Sequence, residues 1–123
     1  MKTEIGMYIR TNHRNEKVIR KIVNIYEDSK EHDHQLVFDK PTKYQYFIED
    51  ENYIPSYKLM DLIKKGDVLH AKSDDEYWTV QDYLTVHGQC ICTEWKVIET
   101  EEDLLEEIDE VITKEQMKNI SYK

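Results

Sequence analysis

Apolar positions recur with a period of two along most of the chain and with a helical spacing in a few stretches, so the pattern predicts a strand-rich fold with short helices. Residues 6–10 predict a first strand, ended by a polar turn at 12–15. Residues 17–26 fit both periods, because the apolar positions 18, 19, 22, 23, 25 and 26 also form a helical stripe; the five β-branched residues within 18–26 favour a strand. A charged loop over 27–34 then leads to short strands at 36–38 and 44–48, with Pro41 between them. A helix is predicted over 56–65, where Leu59, Leu62 and Ile63 share a face and Gly66 stands at the terminating position. Residues 68–71 and 77–86 read as strands, the second with Trp78, Val80, Leu84 and Val86 on one face and Asp82 interrupting it, as a bulge or an edge would. His87 and Gly88 predict a turn into a strand over 90–98, with Ile91, Trp95 and Val97 on one face. The clearest helix is 101–111: Thr100 caps it, Glu101, Glu102 and Asp103 fill its first turn, and Leu104, Leu105, Ile108, Val111 and Ile112 recur along one side. Thr113 and Gln116 form a second capping box and open a final turn.

These elements predict an α+β fold in a single domain of 123 residues. It comprises a small, SH3-like, strongly bent antiparallel sheet over 5–48, a short central helix, further strands to 98, and an acidic amphipathic helix near the C-terminus. Residues 1–55 form the barrel-like part and 56–123 the rest. Charged residues make up 35% and apolar residues only 39%, so the core is lean.

Charge sharpens this picture. The net charge is −9, and residues 1–61 hold 10 Lys/Arg against 11 Asp/Glu, whereas 62–123 hold 7 against 15. From 99 to 110 eight of twelve residues are acidic and none is basic: Glu99, Glu101, Glu102, Asp103, Glu106, Glu107, Asp109 and Glu110. A helix face built only for solubility mixes both signs, so this row marks the candidate binding surface, and its field favours basic partners over phosphate backbones. Arg10, Arg14, Lys17, Arg20 and Lys21 form the one opposite patch; with Tyr8 and Tyr26, Arg10 and Arg20 are the candidates for holding a small nucleotide.

Catalytic chemistry is less visible. Three isolated glycines leave no phosphate-cradling loop, and no H-E-x-x-H, G-x-S-x-G or C-x-x-C motif occurs, so the expectation is a protein that is not an enzyme and carries no cofactor. His32, Asp33 and His34, beside Asp28, Glu31 and Asp39, have the donor types for a divalent metal, but a loop lacks the preformed geometry such a site needs. Cys90 and Cys92 are too close in sequence for an unstrained disulfide and suit a reducing compartment. No apolar run reaches the roughly 18 residues of a membrane span, and the start lacks the apolar stretch of a secretion signal, which predicts a cytoplasmic protein.

Three segments carry a resemblance: Gly6-Met7-Tyr8-Ile9-Arg10-Thr11 at the start, Asp61-Leu62-Ile63-Lys64-Lys65-Gly66-Asp67-Val68 in the centre, and Val111-Ile112-Thr113-Lys114-Glu115-Gln116-Met117 through Ile120-Ser121-Tyr122-Lys123 at the end. Their order and spacing resemble small accessory proteins of Firmicutes phages and prophages, although the stretch after Asp67 runs into Leu69-His70-Ala71 where those proteins tend to carry an Asn-Gly turn. The resemblance implies an accessory phage product, a class rich in inhibitors of host defence, and brings no catalytic residues. Together with the acidic row it predicts an anti-defence antagonist, anti-CRISPR-like or of another kind, that binds a basic surface on a host protein such as a defence nuclease in the bacterial cytoplasm. It predicts no direct contact with nucleic acid or membrane, and leaves room for a homodimer. The alternative is a module that sequesters a signalling nucleotide through Tyr8, Arg10, Arg20 and Tyr26.

Overall fold

The computed structural model describes residues 3–27, 34–48, 51–85 and 89–120, and is an α+β protein of mostly antiparallel strands with two short α-helices among those residues. The chain packs as two compact units, Met1–Lys58 and Leu59–Lys123.

In the first unit, β1 (Tyr8–Thr11), β2 (Ile19–Glu27), β3 (His34–Phe38) and β4 (Tyr53–Ser56) form an antiparallel sheet in the order β3-β2-β1-β4. Residues 19–27 are therefore strand, and the register shift between Ile22 and Asn24 explains their double pattern. A bulge offsets the alternation by one, so Ile22 and Ile25, three apart, both reach the core while Val23 is exposed. Met7, Ile9, Ile22, Leu36, Tyr46 and Tyr53 form that core. The strand predicted over 44–48 is not one. A single bridge joins Phe47 to Gln35, and Glu16 draws the chain away from a ladder by accepting the backbone N–H of Lys43 at 2.5 Å.

The predicted helix over 56–65 also needs correction. Its start belongs to β4, where Pro55 is tolerated because the strand is an edge. Helical geometry is confined to a 3₁₀ turn, Leu59–Leu62. Gly66, at φ +94°, ends this segment as a left-handed residue, a conformation that strains any residue with a Cβ.

In the second unit, β5 (Val68–Ala71), β6 (Tyr77–Thr85), β7 (Gln89–Thr93), β8 (Val97–Ile98) and β9 (Ile108–Ile112) form an antiparallel sheet in the order β8-β7-β6-β5-β9. Trp78 and Val80 are buried as the alternation predicts, and the β6–β7 register shifts between Val80 and Asp82, where the apolar face is interrupted. The predicted turn at His87 and Gly88 lies outside the described residues. The predicted strand over 90–98 splits into β7 and β8. Ile91 and Ile98 enter the core, whereas Trp95 and Val97 face outward.

The acidic helix is shorter than predicted: α1 is Glu101–Glu107, capped by Thr100 Oγ1, which accepts the Asp103 N–H at 3.1 Å. From Ile108 the chain extends as β9 along β5, with Leu69 opposite Val111 and His70 opposite Glu110. The shift between His70 and Ala71 is again a bulge, and it lets Ile108 and Val111 bury on one side at the three-residue spacing that reads as helix in the sequence. The second capping box is real. Thr113 N–H donates to Gln116 Oε1 at 2.9 Å and Gln116 N–H to Thr113 Oγ1 at 3.2 Å, opening α2 (Lys114–Ile120). Among the described residues no helix is long and apolar enough to cross a membrane.

Candidate functional site

The acidic row lies in the second unit, and the structure divides it by task. Glu101 accepts the N–H groups of Leu59 and Met60 at 2.8 and 2.9 Å, satisfying the start of the 3₁₀ turn. Glu107 pairs with Lys96, and Asp109 with His70. Glu110, half-buried in β9 opposite His70, also has a partner. Glu99, Glu102, Asp103 and Glu106 remain at the exposed surface, the last three on α1. Four of the eight predicted carboxylates thus have partners within the fold, Asp109 while still exposed, and the other four face water.

Two lysines flank the end of α1. Lys72 donates its Nζ to the Leu105 carbonyl at 2.7 Å and its backbone N–H to that of Glu107 at 2.9 Å, closing the helix C-terminus. Lys96, on the β7–β8 turn, is held above its ordinary pKa first by the hydrogen bond to Glu107, with Asp103 and Glu106 adding to the field. That turn is rigid. Thr93 Oγ1 accepts from the N–H groups of Trp95 and Lys96 at 3.2 and 2.9 Å and donates to the Lys96 carbonyl at 3.0 Å.

His70 is the feature that the sequence pattern conceals. Its Nδ1 meets Asp109 at 2.6 Å and its Nε2 meets Asp75 at 2.5 Å, while its ring lies 4.8 Å from that of Tyr77. Two carboxylates satisfy both nitrogens only when both carry protons, so the site favours the imidazolium. The Asp109 and Asp75 hydrogen bonds, in that order, accordingly raise its pKa. A group raised in the folded state stabilises the fold fully below its ordinary value near about 6.5, and this contribution fades as pH rises through the higher folded value. The wild type should therefore exceed His70→Asn in thermal midpoint most at mildly acidic pH, with the gap closing toward alkaline pH. Scanning calorimetry of both proteins across that range checks this; a gap that widened on alkalinisation would contradict it.

The alternative nucleotide residues do not converge. Arg10 is only 4% exposed, and Arg20 donates to the Ile19 and Pro41 carbonyls at 2.9 and 3.2 Å. Tyr8 lies under Lys21, and Tyr26 projects into solvent five positions further along β2 than Lys21, roughly 16 Å at strand rise. Of the metal candidates, His32 and Asp33 lie outside the described residues, and His34 stands 3.7 Å from Glu27. Cys90 and Cys92 are free thiols. No family model, curated protein or solved structure matches the chain.

Proposed function

We propose that the chain is a non-enzymatic antagonist, a phage-type accessory protein that occupies a basic, nucleic-acid-binding surface of a host defence component in the bacterial cytoplasm. The observation that carries the reading is the outward row Glu102, Asp103 and Glu106 on α1, continued by Glu99, with the neighbouring lysines Lys72 and Lys96 already engaged by the helix end. Charge of one sign left at the surface steers a cationic partner and repels competing polyanions. A binding role is also consistent with His70, whose two nitrogens are both held by carboxylates and so are not presented to a substrate. The SH3-like description of the sheet over 5–48 belongs to the same proposal, supported by the consecutive antiparallel pairing of β1, β2 and β3.

The test takes the chain as bait for host proteins, identifies the partner by mass spectrometry, and measures its affinity at low and high salt. Affinity should fall steeply with salt, and Glu102→Lys with Glu106→Lys should weaken binding by about tenfold or more while leaving the fold intact. Binding indifferent to both salt and charge reversal would refute the proposal.

A further inference from the structure

Trp95 is 70% exposed and its neighbour Val97 50% exposed, in a protein whose core is short of apolar residues. Tryptophan left this open is unusual, and here it does not sit on a loose loop. Thr93 fixes the turn by accepting two backbone N–H groups and donating to one carbonyl, while the Thr93 N–H reaches the Lys96 carbonyl at 2.9 Å. The backbone that carries the indole is therefore set before binding, and an aromatic side chain with two χ angles loses little rotamer freedom on docking, a condition that favours an anchor. The Lys96–Glu107 pair ties the same turn to the end of α1, and Asp103 and Glu106 act electrostatically on Lys96. An open indole thus stands on the turn that Lys96 ties to the end of the acidic helix.

We infer that Trp95 is the anchor of the acidic surface and takes an arginine side chain from a basic segment of a partner protein; this rests on the proposed acidic binding role. The chemistry selects the occupant. A planar guanidinium stacks on an indole face and directs its N–H fork to a carboxylate, a combination that the compact ammonium of lysine does not offer. A nucleic-acid base would also stack on Trp95, but its phosphates would enter the negative field of the second half of the chain, so charge complementarity rejects it. A second copy of the chain would bring the same carboxylates against one another.

The probes are a nona-arginine peptide, a nona-lysine peptide and a single-stranded oligonucleotide, titrated against the full chain and followed by calorimetry at low salt. Nona-arginine should bind more tightly than nona-lysine by roughly fivefold, Trp95→Ala should abolish that margin while changing nona-lysine affinity by less than about twofold, and the oligonucleotide should not bind. Trp95→Phe, which keeps a ring, should retain part of the margin. Circular dichroism confirms that each variant is folded, as the exposure of Trp95 leads one to expect. Equal binding of the two peptides, or an arginine margin that survives Trp95→Ala, would overturn the anchor role. If binding in either of those cases still falls with Glu102→Lys and Glu106→Lys, the acidic surface itself stands. Failure of both peptides to bind, or preference for the oligonucleotide, would overturn both readings.

Discussion

Asp67→Ala should lose about 2–5 kcal/mol of folding stability, although the residue touches no candidate partner surface. Asp67 is fully buried. One carboxylate oxygen accepts the Lys64 N–H at 2.7 Å and the other accepts the Lys114 N–H at 3.0 Å, so a single side chain closes the turn after the 3₁₀ segment and satisfies the first residue of α2. Alanine would leave both donors without this acceptor, each at a cost of roughly 1–3 kcal/mol. Asp67→Asn keeps one carbonyl oxygen and should lose clearly less. Urea denaturation of the three proteins measures the difference; a loss below about 1 kcal/mol for the alanine variant would show that water or a neighbour replaces the carboxylate.

This contact also gives physical meaning to the central and last of the three sequence motifs. Gly66 and Asp67 come from the central segment and Lys114 and Gln116 from the last one, and the structure brings the two segments together: the Lys114 side chain passes where a Gly66 side chain would begin, and Asp67 holds the Lys114 N–H. In this chain those residues are joints of the second unit, which is why they suggest a fold without a reaction. Turn and cap chemistry of this kind was legible because it is local: Thr100 with Asp103, Thr113 with Gln116, and Gly66 at positive φ all act within a few residues.

The ambiguity in β2 and the misreading of β9 as helix share a cause. In β2 and in β9 a bulge places residues three apart, Ile22 with Ile25 and Ile108 with Val111, on the same buried side, and a helix does the same. Reading 108–111 as helix hid the pairing of β9 with β5, and with it the meeting of His70 and Asp109 across 39 positions of sequence. The exposure of Trp95 is hidden in the sequence for a related reason. A two-residue strand, β8, is too short to show a period, so the turn that exposes the indole reads as a continuation of β7. The acidic row was legible as composition, yet which carboxylates stay outside depends on distant donors such as the Leu59 and Met60 amides.

Glu16→Ala should have an effect of similar size in the first unit, about 2–4 kcal/mol, and should change how the protein responds to alkali. Glu16 is 7% exposed and accepts from the Lys43 N–H at 2.5 Å, the Tyr44 N–H at 3.4 Å and the Tyr46 hydroxyl at 2.9 Å. It thereby secures the segment that stacks Tyr44 on His13, with ring centroids 3.9 Å apart, and sets Tyr46 into the core. Burial first, and then the Glu16 hydrogen bond, push the Tyr46 phenol well above its ordinary range. A group raised in this way supports the fold fully below its unfolded pKa near about 10 and ceases to do so as pH climbs toward the folded value. Wild-type protein should accordingly keep one tyrosine protonated until alkaline unfolding releases it, a step in the phenolate absorbance that coincides with the loss of circular dichroism. Glu16→Gln still offers a carbonyl to the Tyr46 hydroxyl, so it should fall between wild type and alanine in urea and keep the coincident alkaline step. If Glu16→Ala unfolded at the same denaturant concentration as wild type, or if every tyrosine titrated before the fold was lost, the buried carboxylate would not be what holds residues 43–46 in place.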